Sequence, residues 1–238
     1  MLLNDLKNNL PTLSVGILTA DMMDLAGQIR LIQDAGINLL HLDVMAGCIW
    51  PKITVGSSFV EGLKTSMLKD VHLLIDKPER QIENFIKAGA DILTFSAEYC
   101  SDIGQALHGI DRMQNANDPD RGIIKGLSLN PLTQVDTLIP FIDNLDVVLL
   151  LAVGPDTASK NFLSAFPERI SQVRKMKKNI LVFVDGAIKK DNIAEVAALC
   201  PDVIVTGSAI FDGKDPVGNA KFMLNAIHKR KKCQRINL

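Results

Sequence analysis

The sequence predicts a single (β/α)8 TIM barrel, and three observations support this fold class. The chain has 238 residues, a length that suits one large α/β barrel or two small domains. Short β-rich apolar runs alternate with segments of helical periodicity along the whole chain. Eight such runs can be counted, which is the number of strands that a barrel requires. No linker or low-complexity stretch divides them, so residues 1–238 are predicted to form one domain.

The predicted strands are short apolar runs bounded by polar or turn-forming residues. In chain order they span residues 14–18, 38–44, 70–75, 91–96, 123–129, 146–153, 180–185 and 202–206. Continuous alternation of strands and helices implies a parallel sheet with right-handed crossovers. A doubly wound open sheet is the alternative, because the strand count alone does not prove closure.

Helical periodicity fills the segments between these strands. Leu25, Ile29 and Ile32 recur at helical spacing before Gly36. A glycine at that place suits the left-handed residue with which many helices end. Since the same pattern recurs before other strands, we expect a series of βα units rather than a repeated sequence.

Three regions fall outside the predicted strands and helices. Residues 113–121 are rich in Asn and Asp and fit one loop between a helix and a strand. Residues up to about 12 form a short N-terminal extension. Residues from about 229 to 238 form a basic C-terminal tail. Its cations suit the solvated C-terminal end of a helix, where they interact favourably with the helix dipole.

Charge, apolar runs and cysteine spacing give no support for nucleic-acid binding, membrane insertion or secretion. The formal net charge of -1 offers no electrostatic basis for binding nucleic acid or an anionic membrane. The N-terminus mixes polar residues with its leucines, unlike a signal peptide, and no apolar run approaches the roughly 18 residues of a membrane span. Cys48, Cys100, Cys200 and Cys233 have no Cys-x-x-Cys spacing, so we expect reduced thiols and a cytoplasmic protein.

The second predicted strand carries the first candidate site. Strand alternation puts His41, Asp43 and Met45 on one face, and Leu42 and Val44 on the other. Two potential metal ligands therefore project together. For an isolated His-x-Asp pair, the alternative is a core histidine beside a capping aspartate.

Further polar residues lie at the C-terminal strand ends, where (β/α)8 barrels hold their active sites. His72 lies on the third strand and Asp185 ends the seventh, both among apolar neighbours. Buried charges are costly unless they are paired or bind a metal. With His41 and Asp43, these residues suit one divalent metal ion, either Zn²⁺ in a tetrahedral site or Fe²⁺, Mn²⁺ or Co²⁺ in an open one. Two separate His–Asp hydrogen-bonded pairs are the alternative.

Glycines after the last two strands indicate a phosphate site. Gly186 follows strand seven, and Gly207 and Ser208 follow strand eight. Barrels often bind phosphate there through backbone N–H groups, and glycine lets the backbone approach the anion closely. An ordinary turn at a strand end is the alternative.

Two aspartates on different strands also suit a two-base reaction. To invert a carbon that bears an acidic C–H, one group removes the proton and another returns it on the opposite face. Asp43 and Asp185 are the candidates. A bound metal would stabilise the enediolate formed between the two steps.

From about residue 13 to about residue 222, the chain resembles the ribulose-phosphate 3-epimerase family. Several motifs in order carry the resemblance, and together they are specific. They are Ile17-Leu18-Thr19-Ala20-Asp21, His41-Leu42-Asp43-Val44-Met45, Val71-His72-Leu73 with Lys77-Pro78, Leu129-Asn130-Pro131, Val184-Asp185-Gly186 and Gly207-Ser208-Ala209-Ile210-Phe211.

The resemblance implies a barrel of the ribulose-phosphate-binding type and an isomerase of the pentose phosphate pathway. It implies epimerisation of D-ribulose 5-phosphate to D-xylulose 5-phosphate, with Asp43 and Asp185 as catalytic acid and base. A divalent metal would be held by His41, Asp43, His72 and Asp185. A homo-oligomer, either a dimer or a hexamer, is typical of the family. The implied substrate-binding residues are Gly16, Met45, His72, Gly154, Gly186, Ala187, Gly207 and Ser208.

The chain departs from the family pattern around the implied substrate. Gly16 stands where the family usually has Ser, Ala46 where it has Asp, and Leu74 where it has a second Met. The glycine-rich loop after strand six is replaced by residues 154–160, which contain one glycine. In such a loop, glycines supply the backbone freedom needed to close over a substrate.

Two further departures lie at other strand ends. Ala187 replaces the second glycine of the usual Gly-Gly, and Ser96 stands where the strand-four motif often has His. These changes leave open another ketose phosphate, such as allulose 6-phosphate, or a non-catalytic phosphosugar-binding barrel. A decarboxylase of related architecture is disfavoured, because the run after Asp43 lacks the Asp-x-Lys-x-x-Asp pattern.

Overall fold

The computed structural model describes residues 2–155 and 163–229. Eight parallel strands close into a barrel in chain order, each paired with its neighbours and β8 with β1. The strands are β1 (Thr12–Gly16), β2 (Leu39–Met45), β3 (Leu68–Leu74), β4 (Ile92–Ser96), β5 (Ile124–Leu129), β6 (Val147–Leu151), β7 (Leu181–Asp185) and β8 (Val203–Thr206). The predicted (β/α)8 barrel is thus confirmed, and the open sheet is not formed.

One helix precedes the first strand, and the other helices follow the strands on the outside of the barrel. They are α1 (Leu2–Asn8), α2 (Leu25–Asp34), α3 (Ser57–Gly62), α4 (Ile82–Lys87), α5 (Ile103–Asp111), α6 (Phe166–Met176), α7 (Ile193–Ala198) and α8 (Pro216–His228). The described connection from β5 to β6 instead holds two 3₁₀ turns, Val135–Leu138 and Ile142–Asn144. Glycines with positive φ follow α2 and α4, as the sequence predicts.

Predicted and observed strand limits differ most at the first strand. It was expected over 14–18 but spans Thr12–Gly16, and a 3₁₀ turn, Ile17–Thr19, follows it. Ile17 is fully buried in that turn. Since an apolar run predicts burial, it does not by itself distinguish a strand from the turn that continues it.

Two apolar clusters make up the core. The larger fills the space between the barrel and its helices. The smaller contains inward-facing residues of the strands, among them Leu39, Ile124 and Val203, together with Leu2 and Leu6 of α1. The region predicted as an N-terminal extension therefore contributes a helix that packs on apolar residues of the barrel interior.

The loop predicted over 113–121 contains neither helix nor strand. It is fastened to the start of β4 by Asp91, which is 2% exposed. The Asp91 carboxylate accepts hydrogen bonds from Asn115 Nδ2 at 3.1 Å, Asn117 Nδ2 at 3.2 Å and the backbone N–H of Lys69 at 3.0 Å. These bonds hold a polar loop in place without an apolar core of its own.

Cysteine usage differs from the expectation of reduced thiols. Cys48 and Cys100 are free, but Cys200 is disulfide-bonded, so the expectation is wrong for Cys200. Disulfide formation depends on the spatial approach of two Cα atoms, which sequence spacing does not reveal. Residues 230–238 of the predicted basic tail, which include Cys233, lie outside the described residues.

A search of the described helices for a membrane span found none that is long and apolar enough.

Candidate active site

Four titratable side chains meet inside the C-terminal end of the barrel. They are His41 and Asp43 of β2, His72 of β3 and Asp185, the last residue of β7. Each offers one ligand atom, and these atoms all lie within 4.8 Å of one another. The register aligns Asp43 with His72 on adjacent strands. The structure thus brings together the four residues that the sequence placed at strand ends.

His41 is held by groups on both sides of its ring. Its Nδ1 lies 2.8 Å from Asp70 Oδ2, and Ser14 Oγ donates a 2.7 Å hydrogen bond to the same oxygen. Its Nε2 faces Asp43 Oδ1 at 3.1 Å and Asp185 Oδ2 at 4.0 Å. Because Asp70 engages Nδ1, the Nε2 atom is left to face the carboxylates.

His72 is oriented in a similar way. Its Nε2 lies 2.9 Å from Ser128 Oγ, and Ser128 Oγ lies 3.4 Å from Ser96 Oγ. Its Nδ1 faces Asp43 Oδ1 at 3.1 Å. Ser96, which stands at a family His position, is therefore part of the polar layer behind His72.

The surroundings shift the pKa values of the two carboxylates in opposite directions. Burial, followed by the nearby charge of Asp43, raises the pKa of Asp185 to about 6. Burial alone would raise the pKa of Asp43 as well, but the charge of His41 and hydrogen bonds from both histidines outweigh burial and hold it well below its usual range. For His41, the charges of Asp43 and Asp70 outweigh burial and raise its pKa. Two carboxylates whose pKa values are shifted apart are typical of sites that transfer protons.

The donor set fits a divalent metal ion. Two imidazole nitrogens and two carboxylates face one point, and each histidine has its second nitrogen engaged by Asp70 or Ser128, as metal-ligating histidines usually do. A cation between Asp43 and Asp185 would offset their repulsion in a buried site. The residues suit Zn²⁺, Fe²⁺, Mn²⁺ or Co²⁺, and ligand type alone does not select among them.

Two of the expected substrate-binding residues end strands beside this cluster. Met45 is the last residue of β2, two positions beyond Asp43, and Gly16 is the last of β1. Gly16 lies so close to Gly207 that a Cβ on Gly207 would stand 2.6 Å from the Gly16 carbonyl oxygen. A side chain at position 207 would therefore displace the end of β1 or β8.

The turn after β7 has an unusual backbone. Gly186 and Ala187 have φ values of 100° and 57°, both in the left-handed region. A Cβ on Gly186 would lie 3.2 Å from the backbone nitrogen of Val153. Ala187 thus adopts the conformation that the family's second glycine would adopt without strain.

A cavity of about 280 Å³ adjoins this turn, and Lys189 lines it together with Ser208. Lys189 Nζ donates a hydrogen bond to Ser208 Oγ. Lys189 was missed from the sequence, although a cation four residues after Asp185 was a usable signal. Gly154 is buried after β6, and residues 156–160 of the altered loop lie outside the described residues.

The barrel and its site define a class: a TIM-barrel protein with two partly buried carboxylates and a donor set that fits a divalent metal. The model of the Ribulose-phosphate 3 epimerase family matches residues 12–211. The chain therefore belongs to this family. The predicted enzyme class, an isomerase of the epimerase type acting on carbohydrates, is confirmed.

Similar proteins cover most of the chain. It is 34% identical over 206 residues to a ribulose-phosphate 3-epimerase of Bacillus subtilis, with 84% of this chain and 91% of that protein covered. It is 32% identical over 225 residues to one of Buchnera aphidicola, with 92% and 93% covered. In structure it resembles 3-hexulose-6-phosphate synthase of Salmonella typhimurium, with a TM-score of 0.64, 16% identity, and 92% and 97% covered. At that identity the likeness shows the fold alone.

Proposed function

We propose that this protein epimerises C3 of D-ribulose 5-phosphate, giving D-xylulose 5-phosphate. The observation that carries the proposal is the partly buried pair Asp43 and Asp185, gathered with two buried histidines at the C-terminal end of the barrel. Relatives that cover most of the chain carry the name ribulose-phosphate 3-epimerase, which supports this substrate.

The two carboxylates provide the proton transfers. Asp43 comes from β2 and Asp185 from β7, with β8 and β1 between them around the ring. A substrate carbon lying between the two groups presents one face to each. One carboxylate removes the C3 proton, and the other, in its acid form, delivers a proton to the opposite face. The reverse reaction exchanges their roles.

We propose that His41, Asp43, His72 and Asp185 hold one divalent metal ion. When bound, such an ion supplies positive charge that stabilises the negative charge developing beside the reacting carbon. Asp70 keeps His41 in the orientation that presents Nε2 to the site. Because these ligands come from three strands of a closed barrel, their geometry is set before substrate binds.

We propose that the phosphate of the substrate is bound by backbone N–H groups of the turns after β7 and β8. Gly186, Ala187, Gly207 and Ser208 belong to these turns, and Lys189 adds a cation beside Ser208. Gly16, Met45, His72 and Gly154 would surround the sugar. No described feature favours allulose 6-phosphate or a non-catalytic barrel. The dimer or hexamer stays a prediction.

The Asp185→Asn variant tests this proposal. Removal of one proton carrier is expected to lower turnover of D-ribulose 5-phosphate by about 10³-fold or more, while binding of the ketose phosphate changes only a few-fold. Turnover is measured in a coupled assay, and incorporation of solvent deuterium at C3 is followed by NMR.

Asp34→Asn is the matched control, because Asp34 is exposed at the end of α2 and should leave turnover unchanged. Metal content is measured for each variant, so that metal loss is distinguished from loss of the proton carrier. Near-normal turnover of Asp185→Asn would refute the two-base role.

A further inference from the structure

The loop after β2 is fastened to the strand end that carries Asp43. Thr54 Oγ1 donates a hydrogen bond to the Asp43 carbonyl oxygen at 2.6 Å and accepts one from the Met45 N–H at 2.9 Å. The Thr54 N–H donates to the Met45 carbonyl oxygen at 3.1 Å, and Ala46 pairs with Ile53 in an antiparallel bridge. Residues 46–53 therefore form a loop whose base is held beside the four-residue cluster.

This loop carries Trp50, whose indole packs against the apolar cluster of the barrel interior. Met45, which ends β2, packs against the same cluster. Two members of the cluster lie at the C-terminal strand ends. Leu74 is the register partner of Met45 on the neighbouring strand, and Leu151 is the register partner of Asp185. Since the loop leaves the barrel at this end, Trp50 reaches the cluster from the C-terminal strand ends, where Asp43 and Asp185 also lie.

The polar edge of this indole is its Nε1–H group. Trp50 Nε1 is buried from solvent, yet it donates to no acceptor among the described residues. A buried N–H without an acceptor is unfavourable, so native proteins rarely leave one unpaired. An acceptor supplied by a bound ligand would satisfy it. Trp50 differs in this respect from the buried polar groups of His41 and His72, whose ring nitrogens all face polar atoms.

We propose that Trp50 is a substrate-contact residue, which covers the carbon chain of the ketose with its indole ring and donates a hydrogen bond from Nε1 to a sugar hydroxyl oxygen. The identity of the ketose rests on the proposed function. Aromatic rings combine an apolar face with a polar edge, which suits a sugar. A phosphate dianion is a poor acceptor here, because it would be desolvated beside Leu74 and Leu151. The glycine turns after β7 and β8 offer it backbone donors instead.

Trp50 is the only tryptophan in the sequence, so intrinsic fluorescence reports directly on this contact. The metal-loaded, full-length protein is titrated with D-ribulose 5-phosphate and, separately, with inorganic phosphate. We expect the ketose phosphate to shift or quench the emission with saturation, and inorganic phosphate to leave it unchanged.

The Trp50→Phe variant keeps an aromatic ring and removes the N–H donor. Loss of one hydrogen bond to a neutral hydroxyl is expected to raise KM about 3- to 10-fold and to leave kcat within about two-fold, because the proton-transferring carboxylates are unchanged. Ile53→Ala is the matched control. Ile53 lies in the same loop, is 84% exposed, and should leave both constants unchanged.

The outcomes separate this proposal from the proposed function. If the wild type turns over D-ribulose 5-phosphate but its emission does not change at saturation, or if Trp50→Phe keeps the wild-type KM, the contact is refuted and the epimerase function stands. If the wild type does not turn over the ketose phosphate, the proposed function fails, and the emission titration still decides whether Trp50 meets this ligand. A misfolded variant does not affect that titration, because it uses the wild type.

Discussion

At the scale of single residues, the four titratable side chains of the candidate site are supported by further polar groups inside the barrel. His41, Asp43, His72 and Asp185 face one another at the C-terminal strand ends. Asp70 lies one inward position before His72 on β3 and contacts His41 of the neighbouring strand. Asp70 of β3 therefore supports a residue of β2 that belongs to the candidate site.

The Asp70→Asn variant tests this support. An amide removes the negative charge that holds His41 Nδ1, so we expect the affinity for a divalent metal to fall about 10- to 100-fold. Competition with a chromogenic chelator measures this affinity without reference to turnover. Affinity within two-fold of the wild type would show that His41 does not depend on Asp70.

Asp34→Asn serves again as the matched control, because it removes one carboxylate from an exposed helix position. Ser14→Ala gives an intermediate case, since it removes one donor to Asp70 Oδ2 and leaves the carboxylate in place. We expect its effect on metal affinity to be smaller than that of Asp70→Asn.

The sequence predicted the four residues of the candidate site but not the residues that support them. His41 and Asp43 were predictable because they are two residues apart on one strand, and His72 and Asp185 because they are titratable residues among apolar strand neighbours. Ser14, Asp70 and Ser128 were not predicted as partners, since contact with the histidines depends on the register between strands. Alternation alone did place Asp70 on the face of His72, which was an available signal.

At the scale of elements, helix α1 packs against the barrel and is not a loose N-terminal extension. Leu2 and Leu6 are 1% and 3% exposed and belong to the apolar cluster of the barrel interior. Residues with these burials contribute to the stability of the barrel itself. We propose that α1 is part of the folding unit.

The Leu6→Ala variant measures this contribution. Loss of a buried leucine side chain should lower the free energy of unfolding by about 2–4 kcal/mol, as measured by denaturant titration. We expect kcat/KM of the folded variant to be unchanged, because the site lies at the C-terminal strand ends.

Asn4→Ala, at an exposed position of the same helix, should change the free energy of unfolding by less than about 0.5 kcal/mol. If Leu6→Ala unfolds at the same denaturant concentration as the wild type, α1 is a dispensable extension.

At the scale of the whole molecule, we expect binding of the proposed metal ion to be coupled to folding. The proposed ligands come from β2, β3 and β7, so the site exists only when the barrel is closed. A ligand that binds the folded chain alone stabilises it by about 2.7 kcal/mol at 100 times its Kd. For a chain of this size, we expect Tm to rise by roughly 5–10 °C on metal addition, as measured by calorimetry.

Variants of histidine provide the control for this shift. The double variant His41→Ala/His72→Ala should lose the metal-dependent rise in Tm. His108→Ala should keep it, because the His108 side chain is 74% exposed on α5. Elemental analysis of the loaded wild type should find close to one divalent ion per chain. An unchanged Tm together with no bound metal would refute the metal site.

The sequence by itself determined the barrel class, because eight apolar runs alternating with helical segments leave few other ways to bury their surfaces. It also predicted which strand ends carry the candidate site, since titratable residues amid apolar runs are costly without a common partner. Only the tertiary structure decided the closure of β8 on β1, the packing of α1 on the barrel interior and the support of His41 by Asp70. It also decided that the Trp50 N–H finds no acceptor within residues 2–155 and 163–229. These contacts join residues distant in sequence, so they follow from register and loop path rather than from local periodicity.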